Sequence, residues 1–370
     1  MILAIIVFIL ILSFLIFVHE LGHFICAKAT GVKVEEFCIG FPPRLWQKKK
    51  GDTLYAIGAI PFGGFNKIYG EIDTKPAKDS DSFSNKPIKV RALITIGGVA
   101  MNVLLAVIIF YFLLGFSGFQ SHQSLIFDYQ FPFGKQQNFV IVGNIAKNSP
   151  AEEQGIEAGD IIIKANGVQF ENSEEFIKFV EGNKGKELGL YLENFYTKET
   201  KNITIVPRID PPEKEGALGV ALGNIAEISY PSLLEKSSSG FLHSFNILHY
   251  SFFGLGHIIK ISFQQKDITP LSSSVAGPLG ILYFTELTID AGIIAVITLL
   301  AVISLALALF NILPIPALDG GKLVFLGIEA IVRKPVPQKV EEKITVFFFL
   351  LLIFLMIAVT INDIQKFFIK

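Results

Sequence analysis

Charge is scarce in this chain. Asp, Glu, Lys and Arg make up 18% of its 370 residues, below the ~25% usual in soluble domains, and the mean hydropathy is +0.53. That shortfall excludes a wholly soluble protein and leaves room for one soluble domain among membrane segments. The net charge of −1 lacks the basic excess that a nucleic-acid partner requires, so none is expected. Cysteine is limited to Cys26 and Cys38. Both fall on what is read below as the cytoplasmic side, so no disulfide is expected. Tandem repeats are absent. No basic stretch and no small-x-small cleavage site precede His19, so the first apolar segment is expected to be an uncleaved span rather than a signal peptide.

What is present is concentrated in one stretch. His19-Glu20-Leu21-Gly22-His23 is an HExxH motif inside the apolar run from Ile2 to Cys26. In a helix, positions i and i+4 share a face, so His19 and His23 can hold one metal ion with Glu20 beside it. That is the zinc motif of many metalloproteases, with the glutamate as general base. Three ionisable residues in an apolar span cost several kcal/mol unless paired or liganded, and read as functional. The bland reading is a helix end whose polar groups reach the interface.

The first span is taken as residues 1–27. Residues 28–90 form a basic segment with Lys28, Lys33, Arg44, Lys48, Lys49, Lys50, Lys67, Lys75, Lys78, Lys86 and Lys89. The positive-inside rule places it in the cytoplasm and the N-terminus outside. Val32–Cys38 and Thr53–Ile57 read as short strands about a Gly51-Asp52 turn. The run from Gly58 through Phe62, Gly63, Gly64, Phe65, Asn66 and Lys67 to Ile68 is apolar and rich in glycine. Such backbone is tolerated at membrane depth where it is buried in protein or lines a cavity. It reads as a sheet edge beside the active site, or else as an amphiphilic hairpin on the membrane surface.

A second span covers residues 91–116. Asn102 within it either bonds a neighbouring helix or faces the metal site. Residues 136–209 carry the pattern Ser149-Pro150-Ala151…Gly155-Ile156…Gly159-Asp160…Asn166-Gly167, which resembles a bacterial PDZ domain, a fold that binds peptides by strand addition. Within it Ser173 is expected to cap a helix over 174–181. Residues 210–290 read as a linker followed by an amphipathic helix over 241–263, with His243, His249 and His257 in interfacial packing. The third span is 291–313, the LDG-containing region and second basic loop 314–343, and the fourth span 344–361.

Catalytic zinc takes three protein ligands and one open position, and HExxH supplies two. No suitable Glu or His follows His23 closely. Asp319 is the best candidate, at the cytoplasmic end of a span in a break shaped by proline and glycine. Four spans bring it to the same face as His23, whereas a fifth would put it outside.

HExxH in the first span, Gly58–Glu71 in the loop, Gly97-Gly98-Val99-Ala100-Met101-Asn102 in the second span, the PDZ pattern, and Asn311–Gly321 after the third together resemble the site-2 protease family. The resemblance is strongest to its bacterial RseP-like group and covers nearly the whole chain. It implies an α-helical membrane protein with four transmembrane helices, a membrane-associated β-hairpin or sheet after the first helix, and one inserted PDZ domain. It implies Zn2+ held by His19, His23 and Asp319, with Glu20 as the base. It implies that Phe62 to Ile68 offers an edge to unwound substrate, which Asn102 and Asn311 help position. The substrates it implies are transmembrane segments of single-span proteins, such as anti-sigma factors or signal-peptide remnants. The expected setting is the lipid bilayer of a bacterial inner membrane, with both termini and the PDZ domain outside and a peptide as PDZ ligand. Two features depart from the pattern: one PDZ domain instead of a tandem pair, and no proline after the glycines of the second span. The competing readings are an inactive membrane-tethered PDZ protein and a metal transporter. The intact His19, Glu20 and Asp319 argue against the first. The absence of an acidic path through the bilayer argues against the second.

Overall fold

The computed structural model describes residues 1–71, 79–213 and 215–368, with Phe62, Ser273 and Phe368 described by their backbone alone. Lys75 and Lys78 of the basic segment lie outside the described residues. The chain divides into two compact units, Met1–Leu113 with His243–Lys370, and Leu114–Leu242. In chain order the elements are α1 (Ile2–Ala29), β1 (Val34–Lys50), β2 (Thr53–Ile68), α2 (Ile88–Phe116), β3 (Gln120–Leu125), β4 (Lys135–Ile145), α3 (Pro150–Glu153) and β5 (Asp160–Ala165). They continue with α4 (Ser173–Glu181), β6 (Leu188–Asn194), β7 (Thr200–Ile205), β8 (Val220–Ser229), α5 (Leu233–Gln265) and α6 (Thr269–Ser274). The last four are α7 (Pro278–Asp290), α8 (Ile293–Ile312), α9 (Asp319–Val332) and α10 (Gln338–Asp363).

Among the described residues of the first unit, four helices are long and apolar enough to cross a membrane: α1, α2, α8, and α10 with its extension to Phe367. A helix satisfies its own backbone groups, which is what an apolar surround demands. α1 buries one stripe, from Ala4 through Ile11, Leu15 and Val18 to Gly22, His23 and Ala27. Its other faces leave Ile2, Leu10 and Phe14 exposed, as lipid-facing surface would be. Ile11 and Leu15 pack against Ile303 of α8, and Ala106 and Phe110 of α2 pack against Ile247, Ala301 and Leu305. α5 contains the helix expected over 241–263. His243 is buried there, edge-on to Phe110 at 4.9 Å, and His249 packs against Phe245 and Phe253.

β1 and β2 pair with each other twice. Glu36–Ile39 has Gly64–Lys67 on one side and Leu54–Ile57 on the other, and beyond Phe41 the strand folds back so that Arg44–Lys50 pairs with Thr53–Gly58. The lateral order is therefore 44–50, 53–58, 34–41, 60–68. The stretch 64–68 is an outer edge whose recorded strand partners all lie on the first half of β1. This edge runs along α1: Ser13 donates its hydroxyl to the Pro61 carbonyl, and Gly64 sits against Ile16 and Glu20. The strands are far longer than the short ones expected at 32–38 and 53–57, because each extends by pairing with the other.

The second unit is a six-stranded sheet in the order β3-β8-β4-β5-β6-β7. Its core gathers Val140, Val142, Ile162, Leu188, Leu190 and Leu192 with Phe176 and Val180 of α4. Two expectations are corrected here. α4 begins at Ser173, and its cap is Asn172, whose extended backbone lets its side-chain oxygen accept from the Glu175 N–H. Residues 210–290 are also more than a linker and a helix. β8 lies within them and joins the sheet, pairing with β4 from Lys135↔Ser229 to Ile145↔Val220 and with β3 from Gln120↔Ser229 to Leu125↔Asn224. Gly223 and Asn224 in the middle of β8 blunt the strand signal of its Val, Leu and Ile residues. Two partner strands remote in sequence hold it in the sheet.

Candidate metal centre and its surroundings

Three elements of the first unit converge. α1 contributes His19, Glu20 and His23. α9 contributes Asp319 in its first turn. α2 forms the floor. His19 Nε2 and His23 Nε2 are 3.1 Å apart, and Asp319 Oδ2 lies 3.1 Å from the first and 3.3 Å from the second. Among the described residues this trio is the one group of His, Cys, Asp and Glu that could hold a metal ion. The histidines at 243, 249 and 257 are not part of it.

The fit to a metal follows from proton bookkeeping. His23 Nδ1 is 2.8 Å from the Ile94 carbonyl. A carbonyl can only accept, so Nδ1 carries the proton and Nε2 of the neutral ring presents a lone pair. Asp319 Oδ2 is buried without a hydrogen-bond partner. Lone pairs converging in a buried place repel one another unless a cation lies between them. Donors about 2.0–2.1 Å from a tetrahedral zinc are separated by ~3.3 Å, close to the spacings found.

Local sequence explains the close approach. A side chain on Gly98 would begin 2.4 Å from His23 Nε2 and 2.7 Å from His19 Cε1, so α2 must be bare where the imidazoles stand. Gly320 and Gly321 do the same for the third donor. A Cβ at Gly320 would lie 2.1 Å from the Leu313 carbonyl oxygen, and one at Gly321 would lie 2.3 Å from that of Ile315. With glycine at both places, α9 can start tucked under the end of α8 and turn Asp319 toward α1.

Glu20 is not among the three converging donors. Asn66 on the β2 edge donates to Glu20 Oε2 at 2.7 Å and to the Glu20 carbonyl at 2.6 Å, which fixes the carboxylate beside the trio. A cavity of about 160 Å³ opens here, lined by the trio, Glu20, Asn66 and Phe65 together with residues of α2 and α9. Lys322, one turn after Asp319, also faces it and pairs with Glu71 at 2.7 Å. That carboxylate raises the Lys322 ammonium above its ordinary pKa. Arg91 of α2 forks onto Glu329 of α9, with one contact at 2.9 Å.

Of the residues expected to position substrate, Phe65, Asn66 and Ile68 line the cavity. A Cβ added at Gly64 would lie 3.6 Å from Glu20 Cγ, and Phe62 and Gly63 continue the same strand. Lys67 points to Glu35 instead, at 2.8 Å. Asn311 sits in the last turn of α8 and Asn102 is fully buried in α2; neither is in the cavity wall. Asn102 Nδ2 lies 3.4 Å from His19 Nδ1. Sequence reasoning missed Ile94, Lys322 and the Arg91–Glu329 pair, and it named Gly98 and Glu71 only as members of motifs, without these roles. The charged residues carried a signal in that they interrupt apolar surroundings. The Ile94 carbonyl carried none.

The profile of Peptidase family M50 matches residues 7–355. A protein of Clostridium perfringens, named as a candidate zinc metalloprotease, is 35% identical over 95% of this chain and 96% of its own length. The zinc metalloprotease RasP of Shouchella clausii is 30% identical over 98% of each chain. A solved PDZ domain of an SdrC-like protein from Listeria monocytogenes is similar over 22% of this chain and 85% of that domain, with 23% identity and a TM-score of 0.20.

Proposed function

This chain belongs to Peptidase family M50, and from that premise we propose how its residues divide the work. It is an intramembrane zinc metalloprotease of the site-2 type. In our reading His19, His23 and Asp319 hold the zinc and Glu20 is the catalytic base. The observation that carries this is the convergence of three donor atoms within 3.1 to 3.3 Å, with Glu20 held alongside by Asn66. When bound, zinc acidifies a water molecule and polarises the scissile carbonyl. Glu20 takes the proton from the attacking water and later delivers it to the leaving amine. Asn66 keeps the carboxylate aimed through that transfer.

The substrate is a transmembrane segment of a single-span protein, with anti-sigma factors and signal-peptide remnants as the classes we propose. A transmembrane helix hides its peptide bonds in its own hydrogen bonds, so it must open locally before cleavage. Each backbone group then left unpaired costs several kcal/mol in an apolar place. The outer edge 62–68 answers that cost by pairing with the opened strand, and it passes Glu20 at Asn66. Asn311, in the last turn of α8, is assigned to helping position that strand. We place the chain in the bacterial inner membrane with its termini and the unit 114–242 outside, and residues 28–91 and 314–343 inside, from the distribution of basic residues. The 114–242 unit is read as a PDZ domain that takes a peptide ligand.

The test uses Glu20→Gln in purified protein reconstituted with a single-span substrate. Zinc content stays at one per chain while cleavage falls by about 10²–10⁴-fold. Cleavage at the original rate would remove Glu20 from the chemistry, whereas no cleavage by the unaltered, zinc-loaded protein would favour the inactive tethered reading.

A further inference from the structure

We propose that Asn102 is a positioning residue for His19, and that its side-chain oxygen is the acceptor that keeps the His19 proton on Nδ1. This rests on the metal-site reading above. His19 turns Nε2 toward Asp319 and His23. To offer a lone pair there, the neutral ring must carry its proton on Nδ1. That proton needs an acceptor, and the group facing it is the Asn102 amide at 3.4 Å.

As placed, the amide presents nitrogen to Nδ1, and its Oδ1 is buried without a partner. A nitrogen facing Nδ1 is a donor, and it would pair only with the other tautomer, in which Nε2 is protonated and cannot bind metal. The oxygen and nitrogen of an amide are interchangeable in shape, and the hydrogen-bond network decides between them. A half-turn brings Oδ1 onto the Nδ1 proton, and His19 becomes competent as a ligand.

The neighbouring ligand shows the same arrangement already formed. His23 gives its Nδ1 proton to the Ile94 carbonyl at 2.8 Å. α2 therefore supplies the outer partner of both imidazoles, once from backbone and once from a side chain, with the bare Gly98 between them. Asn102 is also held where it is. Its own carbonyl accepts from the Ser304 hydroxyl of α8 at 2.8 Å, and the residue has no exposed surface. It stands outside the cavity wall, behind His19 rather than in front of it, where a substrate strand would pass. Outer partners of this kind orient the ring and raise its basicity as a ligand.

The experiment measures zinc affinity and zinc release to a chromophoric chelator, using the full-length protein in detergent. Asn102→Leu keeps the size and removes the acceptor. Its zinc affinity falls about 10- to 100-fold, and the visible spectrum of the Co2+-substituted protein shifts. Asn102→Asp offers only acceptor oxygens, and it releases zinc several-fold more slowly than the unaltered protein. Wild-type affinity in Asn102→Leu, with a raised KM for a transmembrane substrate, would assign Asn102 to substrate binding and overturn the proposal. Zinc release from Asn102→Asp at or above the wild-type rate would overturn it as well, and that arm stands even where the leucine variant does not fold. His19→Ala is the control for the underlying reading: if it binds zinc as tightly as the unaltered protein, the metal-site reading itself fails.

Discussion

A single missing side chain governs the geometry at the residue scale. Gly98 lies so close to both imidazoles that even a methyl group forces them apart. Gly98→Ala is expected to lower zinc affinity by tenfold or more, since catalytic geometry tolerates shifts of only ~0.5 Å, while the protein still inserts and folds. Gly115 in the same helix has nothing within 4 Å of its added Cβ. Gly115→Ala should leave zinc binding and cleavage unchanged, and competition with a chelator compares the two directly. Asp319→Ala removes the third donor, so metal analysis should find weakened zinc and no cleavage. A variant with full occupancy and full activity would move that ligand elsewhere.

Two elements of the first unit bear on the site at the next scale up, the β2 edge and α9. Proline cannot donate to a ladder, and a strand alternates the neighbour to which successive N–H groups point. Prolines stepped through 62–68 should therefore impair cleavage of a transmembrane substrate at alternate positions while zinc stays bound. Phe65→Pro is a useful member of the series because Phe65 lines the cavity. Substrates with Gly or Pro near the cleaved bond should suffer less, since their helices open more cheaply. No effect in a folded, metal-loaded series would leave this stretch as a surface hairpin. α9 depends on charge pairing across the fold. Arg91 and Glu329 are 13% and 15% exposed. Arg91→Ala leaves a carboxylate buried alone, at a cost of about 3–5 kcal/mol, and the expected result is a lower midpoint in thermal unfolding. Replacing both partners by apolar residues should cost much less, which separates a lost pair from a stranded charge.

For the molecule as a whole, every residue proposed to hold metal or substrate belongs to the first unit, and the 114–242 unit has a core of its own. Val140 has no exposed surface in that core. Val140→Asp should therefore open residues 120–230 to protease while leaving one zinc per chain in the first unit. Loss of zinc in that variant would mean that the two units fold as one. The membrane orientation is tested by labelling single cysteines in intact cells. A cysteine near Lys49 is expected to be shielded from an impermeant reagent, and one near Glu193 reachable by it.

The sequence by itself determined the features that depend on local spacing and composition. Four apolar runs gave four helices long enough to cross a membrane, the i, i+4 histidines shared one helical face, and the topology count singled out Asp319. The tertiary structure alone decided what depends on partners distant along the chain. β8 became a strand only because β3 and β4 flank it. β1 and β2 grew long only by pairing with each other. Asn172 displaced Ser173 as a cap because the backbone extends one residue earlier than composition suggests. The outer partners of the imidazoles come from α2, and one of them is a backbone carbonyl. Every residue type carries that group, so no pattern of side chains could have announced it.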